Sequence, residues 1–98
     1  MKDMNGFDRD PYWLASQTRS FTATTARSSA FNAHTHTIQI TATQICFVKL
    51  GDVTVEAAVT DHYIVAGVPY KLPVRGNTHI AVIRSSADGN LYITEMTD

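Results

Sequence analysis

The stretch AHTHTIQIT, Ala33 to Thr41, carries the residues of this chain best suited to chemistry. On a β-strand, side chains two apart share a face, so His34 and His36 would stand in one row with Ile38 and Ile40. Neighbouring imidazoles in such a row can hold a metal together, and His79, behind Gly76 in PVRGNTH, could supply a third ligand. The same spacing suits an ordinary sheet whose row is wet at the histidines and dry at the isoleucines. That plainer reading is the one favoured, because the pair has no further motif around it.

The paired histidines resemble the metal site of the cupins, and that resemblance would imply a small metal-binding β-barrel using His34, His36 and His79. Cupins place a carboxylate a few residues beyond the pair. Here Gln39 and Ile40 occupy that region and no acid occurs before Asp52. Other candidates are weaker. His62 follows Asp61 and could pair with it or with a backbone carbonyl, whereas a general base also needs a positioned partner and a pocket. Cys46 lies in the apolar run QICFVKL and reads as a small buried hydrophobe. There is no G-x-S-x-G elbow, no P-loop and no G-x-G-x-x-G. No catalytic residue, cofactor or enzymatic activity is therefore assigned. Tyr63, Tyr70 and Tyr92 could form a base-stacking platform only with basic neighbours, and Lys71, Arg75 and Arg84 are the ones at hand. With a formal net charge of −1 and a pI near 6.4, neither nucleic acid nor an anionic membrane is an expected partner.

The elements that would position these residues follow from size and pattern. A chain of 98 residues has room for one modest core. Charged residues make up 17%, below the usual share of about 25%. The single cysteine excludes an internal disulfide. The start, MKDMNGFDRDP, lacks the apolar run of a secretion signal, and no run of about 18 apolar residues occurs. A chain made in the cytoplasm is expected.

Beyond residue 32 the texture is alternating and β-branched, as a half-buried pleated surface requires. In VTVEAAVT, Val53, Val55, Ala57 and Val59 oppose Thr54, Glu56 and Thr60; Tyr70, Leu72 and Val74 alternate likewise, as do Leu91 and Ile93. QICFVKL is apolar on both faces, which predicts a central strand or one covered from outside the sheet. Gly51-Asp52 and Ala87-Asp88-Gly89-Asn90 predict two hairpins. Pro73 lacks an amide donor and predicts an edge or a bulge. The expected fold is all-β: a small antiparallel β-sandwich or barrel of six or seven strands over residues 32–98.

Residues 1–31 look different. Asp10-Pro11 could open one helical turn through about Gln17, and the rest is rich in Ser, Thr and Ala. This segment is expected to be an extended N-terminal arm, poor in apolar anchors and fixed by contact with a partner. The residues expected to make that contact are Trp13, Phe21 and Phe31 as anchors, with Arg19 and Arg27 meeting acidic or carbonyl surface. The alternative is an arm that folds back as a helix and an extra strand on its own domain.

The stretch DHYIVAGVPYKLPVRGNTHIAVIRSSADGNLYITE resembles the end of small virion proteins of tailed bacteriophages, over roughly residues 43–96. The resemblance implies a non-enzymatic capsid decoration or cement subunit located in the virion. It implies a β-sandwich body, an arm clamping neighbouring subunits and a homo-oligomer, trimeric or dimeric. Its partners would be the major capsid protein or other virion proteins.

Overall fold

A computed structural model describes residues 13–97. Among them are eight strands and no helix: β1 (Trp13–Phe21), β2 (Ala26–Arg27), β3 (Thr37–Ala42), β4 (Cys46–Gly51), β5 (His62–Ile64), β6 (Tyr70–Pro73), β7 (His79–Arg84) and β8 (Gly89–Met96). They form two four-stranded antiparallel sheets, ordered β1-β8-β3-β6 and β2-β7-β4-β5. The chain changes sheet at every connection except the one from β4 to β5, which gives the jelly-roll order of a β-sandwich.

Alternation explains why these segments are strands. Along β3 every second residue is buried, placing Ile38, Ile40 and Ala42 inward. Leu91 and Ile93 of β8, Cys46 and Val48 of β4, Ile80 and Val82 of β7, and Phe21 of β1 complete the core between the sheets. Each large aliphatic or aromatic side chain buried here contributes about 1.5–3 kcal/mol of transfer free energy. As the sequence predicts, β4 is an interior strand, flanked by β7 and β5, and β6 with Pro73 is an edge.

Three expectations are corrected. The helical turn through Gln17 is absent where it can be seen, because Trp13 to Gln17 pair with β8; Asp10 and Pro11 lie outside the described residues. VTVEAAVT is a loop, not the second strand of a hairpin. Asp52 closes a turn on itself, its Oδ1 accepting from the Thr54 amide at 2.9 Å and the Thr54 hydroxyl at 2.6 Å. At the far end Asp61 Oδ2 accepts from the Ala58 amide at 2.7 Å. The alternation is still real: Val55 and Ala57 pack against Ala81 and Ile83, covering the outer face of β7 as a small second core. Gly51 is needed for that path, since a Cβ there would come within 2.6 Å of the Val55 side chain.

The third correction concerns Ala87 to Asn90, which joins strands in opposite sheets rather than neighbours in a hairpin. Thr43 holds the incoming end, exchanging hydrogen bonds with the Asn90 backbone. A Cβ on Gly89 would sit 2.8 Å from the Thr43 hydroxyl and 2.9 Å from the Phe21 ring. The glycine thus serves close approach, not a hairpin turn.

Candidate functional site

The sandwich has two lateral sides. Where β1 lies beside β2 the sheets are joined by side chains from the first third of the chain. Phe21 is fully buried and Phe31 nearly so. Gln17 bridges both ways to the Ser29 backbone, its Oε1 accepting from the amide at 2.9 Å and its Nε2 donating to the carbonyl at 3.3 Å. Arg27 donates from Nε to the Val55 carbonyl at 2.8 Å and from Nη1 to the Val53 carbonyl at 2.6 Å. It thereby ties the 52–61 loop to β2. The Ser28 amide donates to the Ile80 carbonyl at 2.9 Å, and the Ser28 hydroxyl accepts from the Ile80 amide at 3.0 Å.

Of the residues expected to anchor a partner, Phe21 and Phe31 therefore lie in this chain's own core, and Arg27 holds its own loop. Trp13 opens β1 opposite Met96. Arg19, on the same inward row as Gln17 and Phe21, is half-buried, and its Nε has no hydrogen-bond partner among the described residues.

Glu95 sits at the end of this side, buried to 4% exposure. Its Oε1 accepts from the Asn32 amide at 2.7 Å and the Thr35 hydroxyl at 2.9 Å, and Gln17 Nε2 reaches Oε2 at 3.5 Å. A buried carboxyl is tolerated only when hydrogen-bonded in this way. The effect is to fasten the 28–36 segment over the mouth of the core. Sequence reasoning missed Glu95, although a signal was there: it follows Leu91 and Ile93 on the inward parity of β8.

The histidines do not converge. His34 and His36 lie in the turn before β3, on either side of buried Thr35, and His36 Nδ1 hydrogen-bonds the Thr97 carbonyl. His79 begins β7 in the other sheet, with its Nδ1 at 2.7 Å from the Thr78 hydroxyl. Among the described residues no three His, Cys, Asp or Glu side chains come together as a metal site. Cys46 is buried, and burial pushes its thiol up to about 11, far from a reactive thiolate. The three tyrosines do not form one platform either: Tyr63 and Tyr92 are exposed on different sheets, while Tyr70 turns to the cleft described next.

On the second lateral side, β5 and β6 leave the sandwich open. A cleft of about 640 Å³ runs between them, with Val48 and Leu50 of β4 in its lining together with Ile64, Tyr70 and Leu72. Ile64 shares the inward row of Cys46, and Tyr70 and Leu72 share that of Ile40 and Ile38, so the cleft is an uncovered margin of the core. The Tyr70 hydroxyl accepts from the Val65 amide at 3.2 Å and closes one end. Nearby surface is also apolar: Tyr63, Val65 and Val68 are 54%, 40% and 44% exposed. Tyr63 stacks obliquely on Phe47, the ring centroids 5.6 Å apart. The arrangement offers shape and apolar surface to another molecule, with Lys49, His62 and Asn77 as polar groups in its lining.

No protein-family model matches the sequence, and no curated protein matches it. A solved chain, described under the words "Bacillus endospore appendages form a novel family of disulfide-linked pili", is similar over 95% of this chain and 96% of its own, at 13% identity and a TM-score of 0.49. A likeness that slight says nothing about what either chain binds.

Proposed function

We propose that this protein is a non-enzymatic structural subunit whose work is to bind other protein surfaces, and that those surfaces belong to a virion shell, as its resemblance to small phage virion proteins implies. The observation that carries the binding part is the open β5–β6 side, where an uncovered core margin meets exposed Tyr63, Val65 and Val68. Exposed apolar side chains beside an uncovered core margin are a common mark of protein–protein contact sites. The jelly roll itself does not choose, since capsid, lectin and cupin domains all use it. A decoration subunit would act mechanically, adding contacts that must be broken before the shell subunits separate.

The test is co-sedimentation of the full chain with purified shells of the major capsid protein. Removing residues 1–30, the obvious deletion for an arm, would take away β1, β2 and Phe21 and so test folding instead. Full-length variants Tyr63→Ser and Val68→Asp alter exposed positions only. The expected result is binding by the wild type and several-fold weaker binding by both variants. Absence of any wild-type binding would remove the shell reading.

A further inference from the structure

We infer that the free edge of β1 is a self-pairing surface, and that two copies of this chain join there by antiparallel β1–β1 pairing about a two-fold axis at Thr18. The inference goes beyond the shell reading by naming a second copy as partner, and it would stand if no shell were bound.

The direction of the backbone groups comes first. Asn90 turns its backbone toward β3, its N–H donating to Thr43 Oγ1 at 2.9 Å and its carbonyl accepting from the Thr43 amide at 3.0 Å. In an antiparallel ladder successive residues point their N–H and C=O to alternate sides. Leu91 and Ile93 therefore face β1, where Arg19 and Gln17 stand opposite them. The residues between, Ser16, Thr18 and Ser20, must turn their N–H and C=O away from β8. Among the described residues β1 has no strand on that side.

An unpaired row of this kind is a template for another chain unless something blunts it. The other three edges are blunted: β2 has two residues, β5 has three, and β6 has four, including Lys71 and Pro73. By contrast β1 runs for nine residues, WLASQTRSF, with no proline, no acid and one cation. Its irregularity is confined to the start, between Trp13 and Ala15.

Self-complementarity selects the occupant. With the axis at Thr18, Thr18 faces its own copy and Ser16 faces Ser20, so all three outward-turned residues exchange both backbone hydrogen bonds. Their exposed side chains form a row of hydroxyls, a favourable cross-strand combination. On the inner row Arg19 faces Gln17 of the other copy, which keeps the two guanidinium groups off each other's directly opposed position. Half-buried Arg19 thus stands opposite a neutral side chain there rather than a like charge. Beneath, Arg27 is the charge on β2, and it is already turned back to the Val53 and Val55 carbonyls. The product is one continuous eight-stranded sheet with two-fold symmetry, the commonest closed arrangement of subunits.

Sedimentation equilibrium of the full chain over a range of concentrations tests this. A reversible dimer is expected for the wild type. Thr18→Pro removes an outward N–H at the axis and leaves the bonds to β8 untouched, so a folded monomer is expected, with far-UV circular dichroism like the wild type. Thr18→Lys and Thr18→Glu place like charges in opposition and should each weaken the dimer several-fold, whereas mixing the two should restore it as a heterodimer. A wild type that stays monomeric throughout overturns the proposal. So do Thr18 variants that dimerise as the wild type does, or a Lys/Glu mixture no stronger than either variant alone.

Discussion

The two lateral sides of the sandwich receive the same kind of alternating strand and end up in opposite states. On the β1–β2 side, Phe21 fills the gap between sheets, while Gln17, Arg27 and Glu95 bind loops across it by hydrogen bonds. On the β5–β6 side the strands have three and four residues, and Tyr70 and Leu72 remain half-exposed over a cleft. Closure therefore depends less on how apolar a margin is than on whether polar side chains are placed to satisfy the backbone that must lie over it. The closed side has those side chains; the open side leaves apolar surface uncovered.

The sharpest way to break this contrast is to empty each side in turn. Phe21→Ala should destabilise the fold by about 3–5 kcal/mol, as for other buried phenylalanines, read from urea unfolding midpoints at constant slope. Leu72→Ala, at the cleft, should cost about 1 kcal/mol because much of its surface is already wet. Equal losses would mean the two sides are not different in kind.

A smaller effect isolates the polar part of the closure. Glu95→Ala should cost about 1–3 kcal/mol, since it strands the Asn32 amide and the Thr35 hydroxyl beside a dry core. Glu95→Gln keeps an acceptor oxygen and should lose clearly less, with faster exchange of the Asn32 amide proton in the alanine variant than in the glutamine one. The reverse order would show that Glu95 matters for bulk rather than for hydrogen bonding.

The smallest effect lies at the start of the loop that Arg27 holds. The Thr54 hydroxyl, then the Thr54 amide, hold the Asp52 carboxyl below the ordinary aspartate range. A carboxyl depressed in the folded state adds stability above its unfolded pKa and loses it as pH falls through the folded value. Thr54→Ala should therefore raise the Asp52 pKa toward its ordinary value and move this loss to higher pH. Titration of the Asp52 side-chain carbon by NMR measures it directly.

Much of the fold was legible because period-two alternation is a local property. The burial of Ile38, Ile40, Leu91 and Ile93, the interior place of QICFVKL and the edge place of Pro73 were all readable from it. What was not readable is which strand pairs with which. A turn of Gly and Asp looks alike whether it folds a strand back beside its predecessor or carries it to the opposite sheet, as after β7. VTVEAAVT alternates, yet its backbone is held by Asp52, Asp61, Arg27 and Thr25 instead of a ladder. The segment from Trp13 to Phe31 looked too poor in apolar residues to hold itself. It is fastened by Phe21 and Phe31 in the core together with its ladder to β8 and the polar contacts of Gln17, Ser28 and Arg27, and composition alone does not show that these would close on the chain itself. The histidines drew attention by type and spacing, but the turn before β3 separates their roles from the sheet.

Pairing of β1 with β8 has a consequence for how the molecule comes into being. The earliest described strand completes its ladder only once β8 has left the ribosome, so this sheet cannot be assembled strand by strand in chain order. Until then the nine residues of β1 lack the partner strand that holds them in the fold.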